Sequence, residues 1–156
     1  MGWFSKRAPE PEPVFDEVRP ISQERLGLLF DSQEWVWEID SEGDLGGNWG
    51  GNAFFFRFSG KQHEVLNIVA FSARVVAPEH EADLLIHVED WNRDHLWPKA
   101  YFRRGDEGLR VMGEVNVDYE FGATDAQLLQ QCHCALSTTL QFFDSVAERF
   151  GVGEQG

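Results

Sequence analysis

The side chains of this chain that could do chemistry are five histidines, the cysteines Cys132 and Cys134, and a run of carboxylates at Asp40, Glu42 and Asp44. His80 and His87 stand two helical turns apart, so one helix face could offer both to a zinc ion. No further ligands are spaced to complete such a site. Leu84 occupies the position where a zincin motif carries its second histidine, and His87-Val88-Glu89 lacks the downstream Pro-Cys-x-x-Cys of zinc deaminases. Cys132-His133-Cys134 could be a chelate or a nucleophile beside its base. On a helix, however, successive residues are rotated by about 100°, which sends the two thiols to different sides. Asp40, Glu42 and Asp44 begin like a calcium loop, yet Gly51 stands at the twelfth position, where a bidentate glutamate belongs. The glycines of GGNWGGN (46–52) lack the Lys-Ser/Thr that completes a phosphate cradle. These patterns predict no catalytic residues, no metal and no other cofactor. The alternative chemical reading is a small metal-dependent hydrolase using His80, His87 or Cys134.

The elements that would position these groups follow from periodicity. MGWFSKR (1–7) is followed by APEPEPVFDEVRP (8–20), alternating proline with acid, so residues 1–19 are predicted to form an extended, disordered tail. A folded domain is expected over 20–150, followed by a flexible 151–156. Ser22 caps a short first helix whose apolar side is Leu26, Leu29 and Phe30, with Ile21 at staple spacing. Period-two alternation then predicts strands at Trp35 to Ile39 and Ala53 to Phe58, separated by a glycine-rich loop at 41–52. Residues 64–76 are apolar on both faces and read as a central strand. Pro78 opens a second helix with the stripe Leu84, Leu85, Val88 and Trp91, which stops before Pro98. A hairpin follows around Gly105 to Gly108, with Leu109, Val111, Val115 and Val117 on one side. Thr124 and Gln127 then form a capping box for a long last helix striped by Leu129, Cys132, Leu136, Leu140, Phe143, Val146 and Phe150. The fold class is α+β: two layers, a five-stranded antiparallel sheet under helices, in the order α-β-β-β-α-β-β-α.

Charge narrows the partners. Thirteen Lys and Arg against 27 Asp and Glu leave a formal net charge of -14, which repels a nucleic-acid backbone. The acid is spread along the chain, as in a protein that meets basic or amphipathic polypeptides. Two cysteines, no apolar signal core and no stretch of about 18 apolar residues together predict a cytoplasmic protein. Membrane contact is not expected, although Trp3 and Phe4 could attach a peripheral adaptor.

One stretch, EDWNRDHLWPKAYF (89–102), has the density of an active site. Its physical reading is the end of a helix and the start of a strand. Trp91 closes the apolar stripe, Asn92 suits a left-handed C-cap, Pro98 blocks further helix, and Trp97 can fold back on the core. The same residues carry a resemblance. VEDWNRDHLWPKAYFR, with the glycine turn and LRVMGEVNVDYEFGATDAQL that follow, resembles the YbjN family of bacterial sensory transduction regulators over about 20–150. Trp91, Asn92, Trp97, Pro98 and Tyr101 match the family signature, which is structural. The resemblance implies the fold of type III secretion chaperones, which are small, acidic, usually homodimeric, and hold amphipathic stretches of client protein. It carries over no catalytic residues.

The reading that results is a non-enzymatic regulatory or chaperone-like protein, a homodimer, that binds a polypeptide through an apolar surface ringed by acids. Val36, Phe55, Arg57 and Met112 on the second sheet face, with His87 and Trp91 on the outer side of the second helix, are the expected partner or dimer surface.

Overall fold

The computed structural model describes residues 17–151. Among the described residues, Arg19 ties the chain ahead of α1 to the rest of the fold, exchanging two backbone hydrogen bonds with Ala123 at 3.2 and 3.0 Å. Helix α1 (Gln23–Ser32) starts as its cap predicts, the Arg25 N–H donating to Ser22 Oγ at 3.1 Å. The chain then forms β1 (Trp37–Ile39), β2 (Leu45–Trp49), β3 (Asn52–Ser59) and β4 (Val65–Val76). A 3₁₀ turn at Pro78–His80 leads into α2 (Glu81–Asp94), followed by the hairpin β5 (Lys99–Gly105) and β6 (Gly108–Asp118) and the long α3 (Asp125–Phe150). Both halves of the capping box are present: the Gln127 N–H donates to Thr124 Oγ1 at 3.1 Å, and the Thr124 N–H donates to Gln127 Oε1 at 2.9 Å.

The α+β class stands, but the sheet has six strands, in the order β1-β2-β3-β4-β6-β5, with every neighbouring pair antiparallel. The extra strand is β2, inside the segment expected to be a loop. Its glycines carry no side chain to show a period-two pattern. Leu45 is nevertheless fully buried, and Gly50 and Gly51, with φ of 58° and 81°, form the two-residue turn that folds β2 onto β3. The order is therefore α-β-β-β-β-α-β-β-α.

All three helices cover one face of the sheet: α3 lies on β4 and β6, α2 beside β5 and α3, and α1 against α3. The core between the layers is aromatic near α1, where Phe30 packs at ring-centroid distances of 5.1 Å from Trp35, 4.9 Å from Phe56 and 6.1 Å from Trp49. In α3 the stripe begins on Leu128, which is buried, with Leu129 at its margin. Gly113 of β6 lets α3 approach closely. A Cβ there would lie 2.7 Å from Thr139 Cγ2 and 3.0 Å from Pro98 Cγ.

Asn92 corrects the expected C-cap. The helix runs past it to Asp94, and His95, in extended conformation, is the residue that ends it. The Asn92 carboxamide turns instead to β5, donating from Nδ2 to Ala100 O and accepting at Oδ1 from the Ala100 N–H, both at 2.9 Å. Pro98 is buried on Gly113, whereas Trp97 stays 42% exposed and does not fold back into the core.

Candidate functional site

The face of the sheet away from the helices is built by register. Gly46, Phe55, Val69, Glu114 and Lys99 form one row across β2, β3, β4, β6 and β5. Ala53, Phe71, Met112 and Tyr101 form the next, and Arg57, Asn67 and Asn116 flank the first on its other side. Because strand residues alternate faces, each of these positions lies opposite the helices.

Its centre is polar. Glu114 accepts from Asn116 Nδ2 at 2.8 Å, Asn67 Nδ2 at 3.2 Å and Tyr101 Oη at 3.0 Å, and pairs with Lys99 at 3.2 Å. Partial burial works against its charge, but the hydrogen bonds from Asn116, Tyr101 and Lys99 prevail and hold the carboxyl below its usual range. Burial, followed by the bond to that carboxylate, pushes the Tyr101 phenol up to about 12. Apolar ground lies beside this network, toward β3 and β4. Phe55 and Phe71 meet edge to face at 5.8 Å. Arg57 lies over the Phe55 ring at 5.6 Å and pairs with Asp44 at 2.7 Å.

The surface expected from sequence is only partly assembled here. Val36, 87% exposed, and Phe55 border a common hollow beside β1, with Arg57 next to Phe55. Met112 is on this face but only 2% exposed, flanked across the strands by Phe71 and Tyr101, so it supports the surface from beneath. His87 and Trp91 do not face outward. Trp91 is 8% exposed, stacked on His95 at 3.7 Å and tilted against Phe142 at 5.2 Å. His87 is half-buried between α2 and α3, where its Nε2 lies 2.9 Å from Ser145 Oγ and its ring packs near Phe142 and Phe150. The outer side of α2 carries Leu85 and Ile86 instead, each 58% exposed. A period of 3.6 places these two beside the buried Leu84, and the alternation along β4 that turns Val69 outward turns Phe71 with it.

The candidate chemical groups stay apart. His80 and His87 both approach the Phe150 ring, at 5.8 and 5.9 Å. Among the described residues, neither belongs to a cluster of three potential metal ligands, and Cys134 belongs to none either. Burial pushes the Cys134 thiol up and raises that of Cys132 to about 12. Asp40, Glu42 and Asp44 do gather, their carboxylate oxygens within 4.8 Å of one another. Asp40 Oδ1 accepts from the Glu42 and Asp44 backbone N–H groups at 2.8 and 2.9 Å, which makes it the pin of the β1–β2 turn. Trp3, Phe4 and the other residues of the expected tails, apart from 17–19 and Gly151, lie outside the described residues. Among the described residues, no helix is long and apolar enough to cross a membrane.

Comparison with solved structures shows this fold elsewhere. A crystal structure of YbjN from E. coli, described as "a putative transcription regulator", superposes with a TM-score of 0.71 at 14% identity, covering 85% of this chain and 96% of that one. An uncharacterized protein from Methanothermobacter thermautotrophicus superposes with a TM-score of 0.60, also at 14% identity, covering 83% of this chain and 99% of that one. Among curated proteins, none matches the sequence. The family model YbjN, "Putative bacterial sensory transduction regulator", matches residues 22–148, from the α1 cap to the last turn of α3. The chain belongs to the YbjN family.

Proposed function

We propose that this protein is a non-enzymatic bacterial regulator, chaperone-like in fold, that works by holding a polypeptide on the sheet face its helices leave open. The observation that carries the reading is the one-sided architecture: three helices cover one face, while the other presents Phe55, Phe71, Tyr101 and Val36 around a satisfied polar centre. The family description and the wording used for the E. coli relative both point to regulation. A net charge of -14 opposes direct contact with DNA, so regulation through a protein partner in the cytoplasm fits better. The exposed Leu85 and Ile86 of α2 supply a separate apolar strip for homodimerisation. No cofactor and no catalytic residue enter this reading.

The experiment is capture from bacterial extract on three immobilised proteins: wild type, Phe71→Glu and Leu85→Ser. A polypeptide retained by wild type and Leu85→Ser but lost from Phe71→Glu is the expected result. Equal retention on all three removes the sheet face from the account. Light scattering on the same proteins is expected to report a dimer for wild type and a weakened one for Leu85→Ser.

A further inference from the structure

At the β1 end of the open face the surface dips. Gly46 and Ala53, the two smallest outward residues of β2 and β3, leave a hollow walled by Val36 on one side and the Phe55 ring on the other. Phe55 leans over Gly46 so closely that a Cβ there would lie 3.1 Å from its ring, so that wall is aromatic and depends on the glycine beneath it. Among the described residues, β1 ends the sheet and pairs only with β2, so the hollow adjoins a strand edge that none of them covers. Its rim is acidic. Glu38 and Asp40 line it, and Glu42 stands beside Asp40. Arg57, which lies over the Phe55 ring, is already engaged by Asp44 at 2.7 Å. Among the described residues, Glu38 and Glu42 take part in no ion pair.

We propose that this hollow seats one large apolar side chain of a basic, extended polypeptide segment, whose Lys or Arg side chains turn to Glu38, Asp40 and Glu42. Charge decides the class of partner. The uncompensated carboxylates repel an acidic segment, and the net charge of -14 steers a cationic one toward the protein. Shape decides the mode. Extended segments pair with open strand edges and place alternate side chains in adjoining pockets. This rests on the sheet-face reading above and narrows it to one end of that face.

The probe is a synthetic peptide of alternating lysine and leucine, titrated calorimetrically into the full chain. Binding is expected to weaken by about tenfold or more in Val36→Ser and in Glu38→Lys, to weaken with added salt, and to hold in Phe71→Ser. Val36 is exposed enough for its replacement to leave the fold intact, and thermal unfolding of each variant checks this. The matching glutamate–leucine and lysine–serine peptides should not bind. The proposal is overturned if the lysine–leucine peptide fails to bind, if both variants bind it like wild type, or if the glutamate peptide binds equally well. Loss confined to the Phe71 variant moves the contact along the face, sinking the hollow while sparing the broader reading. Failure of that broader reading shows separately, as unchanged partner retention by Phe71→Glu in extract.

Discussion

The Asn92 carboxamide meets both backbone groups of Ala100, one as donor and one as acceptor, a pairing that only an amide side chain of this length can make from the last turn of α2. Replacing it with Ala leaves the Ala100 N–H and C=O short of partners, and the expected loss is about 1–3 kcal/mol in urea unfolding. Asn92→Asp keeps the acceptor and loses the donor, so it should fall between the two. This explains in physical terms why a Trp-Asn pair marks the stretch that looked like an active site. His87 supports a second residue-scale prediction. Burial holds its imidazole below the usual pKa, Arg149 acts in the same direction, and Asp90 opposes them. The unfolded chain therefore takes up the proton first as pH falls. The contribution of His87 to stability is complete above its unfolded pKa and is lost as pH drops through the lower folded value. Unfolding midpoints compared between pH of about 7.5 and about 5.5 should fall less in His87→Asn than in wild type.

At the scale of elements, the contact between β6 and α3 depends on Gly113. Gly113→Ala is expected to cost about 1–3 kcal/mol by overpacking against Thr139 and Pro98. A double-mutant cycle with Thr139→Ala should recover part of that cost, because the crowded Cγ2 is gone. The elements that sequence reveals best are those whose signals are local: the Ser22 cap, the Thr124–Gln127 box, the Gly105–Gly108 hairpin and the doubly apolar β4. β2 escapes because strand patterns are carried by side chains, and Gly46 and Gly47 have none. Its only pointers are the buried Leu45 and the aromatic Trp49, four residues apart on the helix-covered face. The direction of His87 was hidden for another reason. A helix packed against both a sheet and a second helix buries more than one stripe, and periodicity alone does not reveal the second.

For the whole molecule, charge and the open face act against each other. The excess of acid opposes association between copies, while apolar side chains such as Val36, Leu85 and Ile86 stand exposed. Turbidity is expected to rise as pH nears the sequence pI of about 4.6, and less so in Phe71→Glu than in wild type. Val36 and Phe55 were legible as residues of the open face because strand alternation separates the two faces. Met112 and Trp91 were not legible as buried, since that depends on neighbours supplied by distant parts of the chain.

The two margins of the sheet are finished differently. Along β5 the Asn92 amide already occupies the main chain at Ala100, while among the described residues the margin at β1 has no such stopper. If molecules ever join by sharing strands, the lip at β1 is the readier of the two, because at β5 an incoming strand would first have to displace the Asn92 amide from Ala100.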